Sequence, residues 1–466
     1  MAIRSGFTSR LGFVAAAAGS AVGLGNIWSF PYKTGENGGA AFLLIYFLCI
    51  ILIGFPIMVG EVAIGRRTQA NPYGAYRQLG GRNWALLGLF GVICGVMILS
   101  FYNVVAGWAF GYFIQIGFGN LLTLGSSEAY GSFFGGYIAD VGDNLIYSLA
   151  FMIITAFVVA RGIQHGIETV SKILMPVLFV ILFAIIIYAL TLENAMEGVN
   201  FYLQPDLSKI NIQTIYSAMG QAFFSLSLGM GALITYGSYI SKKENIVSAA
   251  GIVTIADSGV AFLAGLMIFP LVFFQQLTPG EGPGLVFVTL PGIFESMGAF
   301  SGKIVGGAFF LLLSVAALTS TVSLLEVPVS YFVDEHKWTR PRATSFMALV
   351  VFLLGLPSML SQGAVSFLSP PNFMRFEGKD QSFLDLISGL FLDVGLPLGG
   401  FLMCIFIARQ WSTHHLAEEI IDGNPNFVGS AMQKFLNLMI TVVCPVVLGI
   451  IVLITVLQKF AGVQVF

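Results

Sequence analysis

The chain has 466 residues, 57% of them hydrophobic and only 9% charged, with a formal net charge of −2 and a mean hydropathy of +0.89. Soluble domains carry about 25% charged residues, so this composition lacks the polar skin of a secreted, nuclear or cytosolic protein. Apolar runs such as 173–190 and 438–457 also exclude an outer-membrane barrel, whose strands alternate over about 10 residues, and the charge balance offers nucleic acid no footprint.

A spanning helix takes about 20 residues. Apolar runs between polar breaks predict eleven, near 10–36, 40–65, 85–119, 145–160, 169–191, 213–240, 246–275, 301–333, 342–357, 383–409 and 435–458. With the N-terminus inside, fifteen of the 21 Lys and Arg residues fall in cytoplasmic segments and six outside, as the positive-inside rule requires. A missed or invented helix would scramble every later loop. The expectation is therefore an all-α polytopic protein of the inner (plasma) membrane, with a cytoplasmic N-terminus and an extracytoplasmic C-terminus. Arg4 and Arg10 before Leu11–Leu24 superficially resemble a signal peptide, but the apolar run continues into Gly23-Leu24-Gly25-Asn26 and Phe30-Pro31 instead of ending at a cleavage site. Loops 120–144, 192–212, 276–300 and 358–382 fall outside, and 276–300 and 358–382 hold enough Phe, Leu and Pro to suggest re-entrant or lid-like segments as well as ordinary loops.

The first span contains Gly19-Ser20-Ala21-Val22-Gly23-Leu24-Gly25-Asn26 at mid-membrane. Glycine costs about 1 kcal/mol in a helix relative to Ala, and in lipid any freed backbone group needs another partner. The run reads as an unwound segment facing a cavity, with a small-residue packing face as the alternative. The sixth span repeats the pattern in Phe224-Ser225-Leu226-Ser227-Leu228-Gly229-Met230-Gly231. Spans one and six each open a block of five helices, and interrupted helices at corresponding positions point to an inverted-repeat secondary transporter. The halves would be 10–191 and 213–409, within one transporter domain over 1–466, and 435–458 would be peripheral. Carbonyls of half-helix C-termini suit a small cation, and N–H groups of half-helix N-termini suit a carboxylate; a zwitterion beside a cation meets both demands.

Asp257 lies inside the seventh span with no basic residue in that span. An intramembrane charge is a functional candidate by default, and a bound cation is its expected compensation, with a protonated or hydrogen-bonded structural aspartate as the alternative. Thr319-Ser320-Thr321 in the eighth span adds hydroxyls, a weak signal alone because Ser and Thr back-bond within helices. Glu61 and Glu326 read as helix-to-helix hydrogen-bonding residues. Cys49, Cys94, Cys404 and Cys444 form no CxxC and read as packing thiols. The four histidines show no metal spacing. Without paired catalytic carboxylates or a nucleophile motif, the chain is not expected to be an enzyme.

Gly19 to Pro31, Gly220 to Gly229 and Ala317-Leu318-Thr319-Ser320 resemble the signatures of the neurotransmitter:sodium symporters. The resemblance covers essentially the whole chain, and ending after eleven helices is similar to that family's bacterial hydrophobic amino acid branch. It implies a LeuT-like five-plus-five inverted-repeat fold with discontinuous helices 1 and 6. It also implies two Na+ sites. One would use the carbonyls of Gly19 and Val22 with Ala316, Thr319 and Ser320. The other would use Ala21, Asn26, Ser225 and Asp257, completed by the substrate carboxylate. The implied substrate pocket comprises Ala21, Gly23, Leu24, Gly25, Ile98, Tyr102, Phe224, Ser225, Ser227, Met230, Ser320 and Leu324. In it, the resemblance implies, Tyr102 would hold the carboxylate, Phe224 would form the lid and carbonyls near Ser225 and Ser227 would take the ammonium.

Gly23 stands where monoamine-carrying members have an aspartate, so the substrate must bring its own carboxylate. Asp257 and Ala261 stand where chloride-dependent members have asparagine and serine, so no chloride requirement is expected. Many members have Trp-Arg-Phe-Pro at the end of the first span and an aspartate in the tenth, closing the outer gate. Here the run is Trp28-Ser29-Phe30-Pro31 and the aspartate position is Ser388; closure through Tyr102, Phe224 and hydroxyl or water bridges is expected instead. Arg4, Ser238, Tyr239 and Asp334 match the family's cytoplasmic gate. The expected activity is sodium-driven import of neutral, hydrophobic or aromatic L-amino acids by a monomer or weak dimer. An osmolyte-like or GABA-like substrate, and an amino acid sensor that does not transport, are the alternatives.

Overall fold

The computed structural model describes residues 6–119, 121–275, 284–376 and 379–461. Among them, nine helices are long and apolar enough to cross a membrane, or ten when Arg10–Ala21 and Gly25–Glu36, which meet at 47°, count as one span. The remaining expected span, 213–240, is present as Ile212–Ser225 and Ala232–Gly237. Neither piece alone reaches the about 20 residues a crossing needs.

Each helix start is set locally. Ser9 accepts the Gly12 N–H ahead of Arg10–Ala21, and Asn245 accepts the Ser248 N–H ahead of Ile246–Phe274. Asn211 and Thr214 form a reciprocal capping box at Ile212–Ser225, which satisfies two otherwise orphaned donors.

The two longest helices, Arg82–Phe118 and Ala299–His336, form the central wall. At 1.5 Å per residue, each is roughly 55 Å long and extends well beyond an about 30 Å hydrocarbon layer. The first span runs beside them, and its Ala16, Ala17, Ala18, Gly19, Ser20 and Ala21 are all buried. Small side chains let neighbouring helices approach its backbone closely, which is what a backbone-built site requires.

The outer loops are more structured than plain loops. They contain the helices Ser127–Ala139 and Ala195–Leu203. In the lid-like expectation for 276–300, residues 276–283 lie outside the described residues, but Leu285–Ser296 is an apolar helix turned inward. Its buried Phe287 meets the rings of Trp28, Trp108 and Tyr112 at 6.3, 6.2 and 5.3 Å. The segment 358–382 departs from a re-entrant helix. Its described part is a run of turns and an antiparallel hairpin, Met374–Phe376 against Lys379–Gln381.

Candidate functional site

The chain leaves the helical path at Val22 (ψ 105°) in the first span. In the sixth it does so through Ser227, Gly229 and Gly231, with φ of 55°, 82° and 77°, a region that favours glycine. Backbone groups released at mid-membrane must be partnered inside the protein, and here they are. Gly23 N–H donates to Asn26 Oδ1 (2.9 Å) and Leu24 N–H to the Tyr102 hydroxyl (2.9 Å). The Ser20 carbonyl accepts from Ser227 Oγ (2.9 Å) and Ser320 Oγ (3.2 Å). Gln221 Nε2 donates to the Gly25 carbonyl (2.6 Å), and Gly229 N–H donates to Glu61 Oε1 (2.7 Å). Glu61 therefore takes the helix-bridging role expected of it, with its acceptor aimed at the sixth-span break.

Asp257 is fully buried where the two breaks face each other. Its Oδ1 accepts from Asn26 Nδ2 (2.7 Å) and Ser225 Oγ (2.9 Å), and Tyr46 donates to Ser225 Oγ (3.2 Å). Every one of these partners is neutral, and among the described residues Asp257 has no ion pair. A buried carboxylate with only neutral donors leaves a negative charge for a mobile cation to offset, and oxygen ligands suit a hard one. A second oxygen cluster lies on the other side of the first-span break. Thr319 Oγ1 is 3.3 Å from the Val22 carbonyl and 2.9 Å from that of Ala316. The helices touch here, since a Cβ on Gly19 would sit 3.3 Å from Thr319 Cβ.

Between the clusters is a closed cavity. It brings together Ala21, Gly23, Gly25, Ile98 and Tyr102 with Phe224, Ser227, Met230, Ser320 and Leu324. Ser20, Leu392 and Leu396 line it as well and were missed from sequence; the two leucines stand in the tenth span with nothing polar to mark them. Two expected pocket residues lie elsewhere. Ser225 turns its hydroxyl to Asp257, and Leu24 lines the outer vestibule. The free space is ≈ 10 Å³, about one water, so a side chain enters only if Phe224 and Met230 move. Gly23 leaves no room for a side chain unless its neighbours shift, because a Cβ there would lie 2.3 Å from Ser320 Oγ and 2.7 Å from the Tyr102 hydroxyl. The result is a carboxylate-sized niche beside hydroxyls, under an apolar roof.

Above the roof, a vestibule of ≈ 250 Å³ reaches from Phe224 past Trp28 to Asp385. Tyr102 and Phe224 separate it from the cavity, their rings edge to face at 6.4 Å. The expected hydroxyl bridge is present with a different partner. Ser29 Oγ donates to Gln221 Oε1 (2.8 Å), whereas Ser388, half-buried on the vestibule wall, bonds its own helix at the Asp385 carbonyl (3.1 Å). Gln221 thus ties the outer halves of both broken helices together. It lies one helical turn before Ser225, a spacing that puts both on one face and could have revealed it.

The opposite end of the bundle, expected to be cytoplasmic, is sealed more heavily. Phe7 packs edge-on against Tyr236 (5.8 Å) and Tyr239 (6.2 Å), and its N–H donates to the Tyr239 carbonyl (3.0 Å). Of the expected gate, Arg4 lies outside the described residues, and the Asp334 carboxylate accepts from Asn71 N–H (2.9 Å). Ser238 bonds locally to the Thr235 carbonyl (2.6 Å). Tyr239 instead donates to Glu326 (2.6 Å), whose other oxygen pairs with Arg340. Nothing in the sequence singles out Arg340, because it lies just outside the ninth span, where any cytoplasmic arginine looks like a topology signal.

The family model described as the sodium:neurotransmitter symporter family matches residues 4–128 and 135–464. The chain is 39% identical over 419 residues, 90% of each chain, to the sodium-dependent transporter YhdH of Bacillus subtilis. It is 36% identical over 425 residues to a sodium-dependent transporter of Haemophilus influenzae, covering 89% of this chain and 92% of that one. Among solved structures it is similar to MhsT in complex with L-phenylalanine, with a TM-score of 0.87 and 45% identity, covering 97% of this chain and 99% of that one.

Proposed function

The chain belongs to the sodium:neurotransmitter symporter family and has the LeuT-type fold of its solved relative, and on that premise we propose that it imports neutral, hydrophobic or aromatic L-amino acids with Na+, without requiring chloride. The observation that carries the reading is Asp257, a buried carboxylate with neutral partners, bonded to the same Asn26 side chain that caps the Gly23 N–H at the first-span break. One Na+ is taken by Ala21, Asn26, Ser225, Asp257 and the substrate carboxylate. A second is taken by Gly19, Val22, Ala316, Thr319 and Ser320. The solved relative holds L-phenylalanine, and the apolar wall of Ile98, Met230 and Leu324 suits such a side chain.

A carboxylate at Asp257 supplies the fixed negative charge that chloride supplies elsewhere in the family. The halves 10–191 and 213–409 rock about the broken helices, while 435–458 stays peripheral. The N-terminus is cytoplasmic, the C-terminus is extracytoplasmic, and the membrane is the plasma membrane. Each Na+ moving down 100 mV contributes about 2.3 kcal/mol, enough with its chemical gradient to accumulate substrate. The test is uptake of labelled phenylalanine into proteoliposomes under an inward Na+ gradient, with the other amino acids as competitors. Competition by leucine and tryptophan but not by GABA or betaine is expected. Sodium-dependent binding without uptake would make the protein a sensor and overturn the proposal.

A further inference from the structure

An apolar groove of ≈ 410 Å³ runs between the helices Val141–Ala160 and Arg340–Leu360 on the outside of the bundle. Ile153, Ala156 and Phe157 form one wall, and Ala348, Leu349 and Phe352 the other. From Thr344 to Phe352 the groove spans roughly 12 Å of helix, most of the about 15 Å depth of one leaflet's hydrocarbon. Thr344 lines it, is 1% exposed, and its hydroxyl has no hydrogen-bond partner. That hydroxyl is closed off beneath the groove floor, so the trough presents an almost wholly apolar surface.

The mouth of the groove is cationic. Arg161 follows directly on Ala160, with its guanidinium 4.1 Å from the Phe157 ring centroid. On the other helix Arg342 lies 4.4 Å from the Trp338 ring centroid. Neither has a carboxylate partner among the described residues. Arg340 is committed to Glu326 and to the Val159 carbonyl (2.9 Å). Two unpaired guanidiniums at headgroup depth, above an acyl-length trough, are complementary to an anionic lipid.

We propose that this groove is a binding site for an anionic phospholipid, with one acyl chain along Ala156 and Ala348 and the phosphate held by Arg161 and Arg342. The assignment is independent of the transport reading, because it uses none of the central residues.

The test measures the unfolding temperature of the delipidated full-length protein in detergent. The titrants are phosphatidylglycerol, phosphatidylcholine with the same chains, and glycerol 3-phosphate. Phosphatidylglycerol is expected to stabilise at the lowest concentration, and Arg161→Gln and Arg342→Gln are each expected to weaken it about fivefold. Ala156→Phe, which fills the groove and keeps both charges, is expected to abolish the difference between the two lipids. Equal stabilisation by phosphatidylcholine, an unchanged response in all three variants, or full stabilisation by glycerol 3-phosphate would overturn the proposal. So would a dimer that Ala156→Phe splits, which would make the groove a subunit seat.

Discussion

Asn26 on the broken first span lies 2.7 Å from Asp257 on the continuous seventh, and the same amide nitrogen is 3.0 Å from Ser225 on the broken sixth. Three helices, two of them broken, are therefore joined at one buried carboxylate. On the proposed function, a cation arriving there would compete with the Asn26 amide for Asp257, and that exchange would link ion binding to the geometry of both breaks.

Asp257→Ala is expected to remove sodium-dependent substrate binding, because the remaining neutral oxygens cannot offset a desolvated cation. The milder pair Asp257→Asn with Ala261→Ser should retain transport and acquire a need for chloride. Uptake with gluconate replacing chloride checks both ends. The native protein keeps its rate and the double variant loses most of it; a large loss in the native protein would contradict the role given to Asp257.

Gly23→Asp should abolish amino acid binding. The new Cβ overlaps Ser320 Oγ and the Tyr102 hydroxyl, and the new charge occupies the carboxylate niche. Loss of the carboxylate contacts alone is worth about 3 kcal/mol, or roughly 100-fold in affinity. Equilibrium binding of phenylalanine measures it, and affinity within a few-fold of native would place the carboxylate elsewhere.

Glu61→Ala leaves the Gly229 N–H without its acceptor in the unwound segment, at a cost of about 1–3 kcal/mol. Glu61→Gln keeps an oxygen in place and should lose much less. Thermal unfolding of the two variants in one detergent distinguishes them. Equal losses would mean that the charge, and not the hydrogen bond to Gly229, is what matters there.

Tyr239→Phe removes the hydroxyl that holds the C-terminal end of the sixth span to Glu326, and on the proposed orientation should shift the protein toward the inward-open form. Labelling of a Ser238→Cys reporter from the cytoplasmic side is expected to rise several-fold in the Tyr239→Phe background. An unchanged labelling rate would show that the aromatic packing of Phe7 closes this gate unaided.

Much of the site is legible in local chemistry alone. Paired glycines with interleaved serines mark both breaks, because no other pattern puts so much helix-breaking backbone at mid-membrane. Asp257 declares itself by its charge. What local chemistry hides are partnerships between residues far apart in sequence. The acceptor for Gly229 N–H is Glu61, 168 residues away, and the partner of Ser29 is Gln221, 192 residues away. Single-chain patterning predicts that such groups need partners and cannot say which. The Ser388 position illustrates the point. Its place in the tenth span matches the gate, yet its side chain returns to its own helix, since a short hydroxyl cannot reach across the vestibule that an arginine–aspartate pair would bridge.

The most direct measurement is phenylalanine affinity of the purified protein in Na+ against an equal concentration of choline, read by calorimetry or by the shift in unfolding temperature. Tight binding in Na+ that weakens at least a hundredfold in choline is the predicted result, with the dependence lost in Asp257→Ala. The same affinity in both salts would show that no cation shares the cavity between the two breaks, and the coupling assigned to Asp257 would fail.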